Sequence, residues 1–230
     1  VHFRRGNDIL GAAIAVLRTF FTMVTLSTFW LASGWAFGAS AMLLATIFSG
    51  LLAASPNPVS AATQTLYGYA AGMLGAFLVV FWLMPGSDGF LSLIAVSAAF
   101  LLIGPYLSTR DTLPGVGAGY TLGFVYILAL KNPMVYDPAH FLNDGIAQVA
   151  GLALAGAAFI LVPSVIGSAW QRTRQFRRLR EQAVLAATAP LEGLAWRFES
   201  LVRDLFQQVV TYTRPGSDKS RSLLAWALAV

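Results

Sequence analysis

The sequence predicts an all-α polytopic membrane protein: a six-transmembrane-helix bundle followed by cytoplasmic amphipathic helices. Three observations lead there. The 230 residues are 57% hydrophobic and 11% charged, with mean hydropathy +0.68, whereas soluble domains carry roughly 45–50% apolar and about 25% charged residues. Residues 19–87 contain no Asp, Glu, Lys, Arg or His. A soluble fold cannot easily hide such a run, but about 20 apolar residues cross a bilayer as one helix. Lastly, residues 170–230 hold ten basic and five acidic side chains and so carry the whole net charge of +5, the asymmetry expected of a cytoplasmic segment beside a membrane.

Six apolar segments are expected, near 10–31, 35–54, 61–84, 90–107, 113–130 and 145–162, the last able to begin earlier. Their separators are turn chemistry: SPNPVS at 55–60, PGSDG at 85–89 and STRDTLPG at 108–115, where proline stops a helix and glycine permits a turn. Only Ser33-Gly34-Trp35 separates the first two, so a very tight turn must join them. Residues 1–31 lack the short apolar core and small-residue cleavage site of a secretory leader and are read as a membrane segment.

Arg4 and Arg5 precede the first segment, and five arginines follow the sixth within RTRQFRRLR (172–180). An even number of spans with both ends basic places both termini in the cytoplasm. The chain is accordingly divided at 169/170, into the membrane domain and the start of a cytoplasmic helical domain with breaks near Pro190 and at 214–220. A first residue other than Met and an apolar ending, RSLLAWALAV, are expected of a piece of a longer protein.

No Walker loop, metalloprotease motif, serine-nucleophile elbow or Cys/His metal spacing occurs; there are no cysteines and two histidines, His2 and His140. Neither an enzyme, a metal site nor a cofactor is expected, and the basic tail suits lipid headgroups rather than nucleic acid. GVGAGY (115–120) lacks the strand and distal acid of a nucleotide loop. Gly115, Gly119 and Gly123, like Gly68 and Gly72, recur every four residues, a small-residue face for close helix packing. Gly34 and Gly38 share that spacing.

The polar stretch KNPMVYDPAHFLNDG (131–145) interrupts the apolar pattern. Asp137-Pro138 reads as an N-cap with proline at the first helical position. A helix starting there sets His140, Asp144 and Gln148 on one face at four-residue intervals, with Asn143 beside them. Such a titratable stripe entering an apolar region has the elements of a proton relay, or it simply caps a wetted helix end. Arg18, inside the first segment, reads as a snorkelling cation or as the counter-charge of an anionic substrate; Lys131 is a second candidate for that role.

Two stretches, FWLASGWAFGASAMLLATIFSGLLAASPNPVSA (29–61) and NPMVYDPAHFLNDGIAQVAG (132–151), resemble the fusaric acid resistance (FUSC) family. The matching features are Trp30 and Trp35 followed by Gly38, the Pro56-Asn57-Pro58 loop, Tyr136-Asp137 and Phe141-Leu142-Asn143. The resemblance covers about residues 8–165. It implies a bacterial inner-membrane efflux protein for small aromatic or amphipathic carboxylic acids such as p-hydroxybenzoate, driven by the proton gradient. It also implies a longer protein of two halves, this chain being the second membrane bundle with the start of its soluble domain. The bundle would pair with the other half or a second copy, and would work with a periplasmic adaptor and an outer-membrane channel. A passive anion channel resembling plant malate channels, and a membrane scaffold for the cytoplasmic helices, are the alternatives.

Overall fold

The structure is a computed structural model and describes residues 9–55, 57–86, 89–130 and 134–162, together with Arg177 and Val184. The expected cytoplasmic helices of 170–230, Asp88 and Lys131 lie outside the described residues. The chain divides into two compact units, and residues 15–163 form the one that holds the described helices from Ala15 onward.

The helices are α1 (Ile9–Ser33), α2 (Gly38–Ala53), α3 (Pro58–Leu78), α4 (Phe90–Leu101), α5 (Ile103–Ser108), α6 (Pro114–Leu128) and α7 (Pro138–Leu161). No strand occurs among the described residues. Four helical stretches are long and apolar enough to cross a membrane: Gly11–Ser33, Pro58–Leu83, Phe90–Ser108 and Pro138–Leu161. The chain is an all-α polytopic membrane protein. α2 and α6, at 16 and 15 residues, rise only about 24 and 22 Å, short of the ~30 Å hydrocarbon core.

Each break has a chemical cause. Gly34 takes φ +61° and its N–H bonds the Trp30 carbonyl, ending α1 and turning the chain into α2 within residues 34–37. Gly34 is thus a turn residue, while Gly38 sits under the Trp30 indole; this pair serves the α1–α2 corner and not a helix-packing face. Asn57 caps α3 by accepting the Ser60 N–H at 3.3 Å, with Pro58 in the first turn. Between α4 and α5 the chain bends at Leu102, because Pro105 has no N–H for the Leu101 carbonyl. In α1, Thr19, Thr22, Thr25 and Thr28 each return their hydroxyl to the carbonyl four residues back, at 2.8–3.0 Å. Hydroxyls satisfied this way can face hydrocarbon without an orphaned donor.

The core is built on α3, which lies along α6 for most of its length and also meets α7; α2 packs on α7, and α5 on α6. In lipid no hydrophobic force draws helices together, so close van der Waals contact must do it. The α3–α6 seam meets that demand with glycine on both sides. A Cβ on Gly72 would lie 2.7 Å from the Phe124 nitrogen, one on Gly68 2.8 Å from the Tyr120 nitrogen, and one on Gly123 2.6 Å from the Tyr69 carbonyl oxygen. Gly119 faces the Thr65 backbone, 2.9 Å from its Cα, and the Gly115 N–H donates to Gln64 Oε1 at 3.1 Å. Gly151 of α7 meets the Ala41 backbone of α2 in the same manner.

Gly72→Leu is therefore expected to lower stability by at least about 1–3 kcal/mol, read as a fall in the thermal unfolding midpoint in detergent. At Gly50, where a Cβ meets nothing within 4 Å, Ala should leave that midpoint unchanged or raise it.

Candidate functional site

Three departures from regular helix converge on one cavity. α3 does not stop at Leu78; it continues as a π-helical turn, Val79–Leu83. α6 ends at Ala129 in the left-handed region, φ 35° and ψ 55°, a conformation that costs a non-glycine residue roughly 1–2 kcal/mol. α7 starts at Pro138, with Asp137 Oδ1 accepting the His140 N–H at 3.0 Å. Between them lies a cavity of about 360 Å³. Val80 and Phe81 of the π turn, Ile127, Leu128 and Ala129 of the α6 end, and Met134 and Val135 form its apolar wall. Asp137, His140, Phe141 and Asp144 of α7 supply the remaining side chains.

Along α7 the polar stripe is graded by depth. Asp137 and His140 are exposed, Asp144 is half-buried and Gln148 is 1% exposed. Gln148 Nε2 donates to Asp144 Oδ2 at 2.7 Å, and the Tyr69 hydroxyl of α3 donates to Gln148 Oε1 at 2.5 Å. The carboxamide is thereby fixed in one orientation, with its acceptor toward the phenol and its donor toward the carboxylate. The second Asp144 oxygen has no hydrogen-bond partner among the described residues. Tyr69 is fully buried and meets Phe48 edge to face at 6.1 Å. The His140 ring tilts against Phe37, 5.1 Å between centroids, and Phe141 packs edge-on to Phe81 at 5.4 Å.

Of the residues singled out in the sequence, Asp137, His140 and Asp144 meet on this cavity and Gln148 backs it from within. Asn143 is exposed and stands off the cavity wall. Arg18 lies elsewhere, on the inward face of α1 with Thr22 and Leu26, its guanidinium 3.6 Å above the Phe159 ring near the far end of α7. At 2% exposure it is no snorkelling residue. Tyr69 escaped sequence reasoning: its partner is 79 residues away, and an aromatic in a membrane segment reads as an interfacial anchor. No group of three or more His, Cys, Asp or Glu side chains able to hold a metal occurs among the described residues.

Two acids facing a cavity with no lysine or arginine among its described lining residues make the local potential negative while His140 is neutral. Such a site attracts protons and repels organic anions until a carboxylate is neutralised.

The whole chain, residues 1–230, matches the profile of the fusaric acid resistance protein family, FUSC. The chain belongs to this family. Among curated FUSC-like relatives it is 28% identical over 207 residues to the p-hydroxybenzoic acid efflux pump subunit AaeB of Erwinia billingiae, covering 89% of this chain and 31% of that protein. The AaeB subunit of Shigella boydii is likewise 28% identical, over 86% of this chain and 30% of its own length. The FUSC chain thus spans about a third of the relatives it matches. No solved structure matches it.

Tyr69→Phe keeps the aromatic packing and removes the only donor to the buried Gln148 oxygen among the described residues. It should destabilise the protein by about 1–2 kcal/mol, measured by chemical or thermal unfolding in detergent. Ala129→Gly removes the left-handed strain at the cavity wall. After the added freedom of the unfolded chain is subtracted, it should leave stability unchanged or raise it by up to about 1 kcal/mol in the same assay.

Proposed function

We propose that this FUSC chain is the membrane portion of an inner-membrane exporter for small aromatic carboxylic acids, and that export is coupled to proton entry through Asp144. The observation that carries the reading is the half-buried Asp144 carboxylate, held from inside by Gln148 and Tyr69 and open on its other side to a cavity of aromatic and apolar side chains. The substrate class comes from the relatives, whose name is p-hydroxybenzoic acid efflux pump subunit. In the six-span arrangement the short α2 and α6 also cross the membrane, both termini are cytoplasmic and the cavity opens to the periplasm. Partner candidates are the remaining part of a longer protein or a second copy, a periplasmic adaptor and an outer-membrane channel.

The coupling follows from charge. With Asp144 ionised, the cavity repels a departing carboxylate. A proton arriving from the outer face neutralises Asp144 and lets the organic anion leave past Phe81 and Phe141. Return of the empty, protonated site and release of that proton inside complete an exchange of one proton for one acid. His140 at the rim supplies an imidazole that can pass a proton to Asp144, one helical turn deeper. Lys131, if it meets the substrate, does so from outside the described residues. A passive anion channel fits the lining less well, because carboxylates would oppose the permeating ion.

The test uses the full-length protein in proteoliposomes with labelled 4-hydroxybenzoate. Asp144→Asn should abolish gradient-driven uphill transport, at least roughly tenfold, while downhill exchange of labelled for unlabelled acid persists. His140→Ala and Asp137→Asn should slow the coupled flux, the latter informatively because Asn caps a helix as well as Asp does. Uphill transport unchanged in Asp144→Asn would sink the coupling scheme, and flux indifferent to a protonophore would indicate a channel.

A further inference from the structure

The guanidinium of Arg18 is the one charged side chain among the described residues that is fully enclosed within a membrane-spanning helix. Its exposure is 2%, its Nε has no hydrogen-bond partner, and no carboxylate among the described residues forms an ion pair with it. Phe159 occupies one face of the guanidinium plane at 3.6 Å, a cation–π contact that leaves the in-plane N–H groups available. The adjacent inward hydroxyl, Thr22, is turned back to the Arg18 carbonyl at 2.9 Å. A buried cation with an unused donor fork is costly unless an anion completes it. A planar carboxylate fits that fork with two parallel hydrogen bonds.

We infer that Arg18 and Phe159 form a second binding site, for the carboxylate of a benzoate-type acid, at the end of α7 opposite the Asp144 cavity. Phe159 lies 15 residues beyond Asp144 on one unbroken helix, about 22 Å along its axis. The two sites divide the work: Arg18 captures the anion on the side where α1 begins, and the acidic cavity governs its release. Phe159, buried and packed flat against the guanidinium, fixes the plane of the fork and so the plane in which a carboxylate is held. This inference rests on the export reading for its substrate class but not on proton coupling.

The deciding experiment measures binding without any gradient, using full-length protein in dodecyl maltoside, a detergent free of phosphate and carboxylate. Isothermal titration with 4-hydroxybenzoate and with its uncharged methyl ester separates charge recognition from ring binding. Arg18→Gln should weaken the acid roughly tenfold or more and leave the ester within a factor of about two, with Arg18→Lys intermediate because it keeps charge but loses the fork. Should Arg18→Gln fail to fold, the wild-type protein answers alone: the acid should raise the unfolding midpoint saturably and the ester should not. Equal loss of acid and ester, or no loss of either, overturns the assignment. So does inorganic phosphate or phosphatidylglycerol competing as strongly as the acid, which would make this a headgroup site. An Asp144→Asn protein that still exports against a gradient, together with Arg18-dependent acid binding, removes the coupling scheme and keeps this site.

Discussion

The approach of α3 to α6, backbone against backbone, is the contact on which the rest of this structure depends. Lipid rewards helix association only through close packing and satisfied polar groups, and the two helices touch through Gly68, Gly72, Gly119 and Gly123 without intervening side chains. That seam fixes the depth of Tyr69, whose carbonyl abuts Gly123. Tyr69 in turn fixes Gln148, and Gln148 fixes Asp144. The position of a carboxylate on α7 is therefore set by a contact between two other helices.

Regular helix is the cheapest solution for a backbone in hydrocarbon, so departures from it are informative. Here the π turn after α3, the left-handed end of α6 and the capped start of α7 occupy one place and surround one cavity. π turns and strained left-handed residues persist where surrounding structure enforces them, and they gather at working sites. In α1, by contrast, the threonine hydroxyls return to the helix's own carbonyls, which leaves them inert toward lipid.

Signals confined to a few consecutive residues were legible in the sequence. Asp137-Pro138 announced the start of α7 and, with it, the face shared by His140, Asp144 and Gln148. The glycine intervals in α3 and α6 and the proline-rich breaks were equally local. Features set by distant partners were not. Nothing near Val79–Leu83 marks a π turn, and a hydroxyl bond between residues 69 and 148 has no local sign. Arg18 shows the same limit: a lone arginine near a helix end reads as reaching for water, and only its place on the inward face with Thr22 and Leu26 shows that it does not. Pro105 was visible, yet its bend lies inside one apolar run, where residue counting sees a single straight segment.

α6 is 15 residues long and stops at the cavity. Hydrocarbon about 30 Å thick cannot be spanned by some 22 Å of helix without thinning or an aqueous recess. On the six-span reading proposed above, a recess at this end would carry bulk solvent inward, and the transmembrane voltage would then fall across a shorter septum. A full charge crossing 100 mV exchanges about 2.3 kcal/mol with the field, but a proton reaching Asp144 through a wet vestibule crosses only part of that drop. In the orientation proposed above, the short helix would make this site sensitive chiefly to external acidity, and would leave the voltage to act on whatever charge moves along the remaining length of α7.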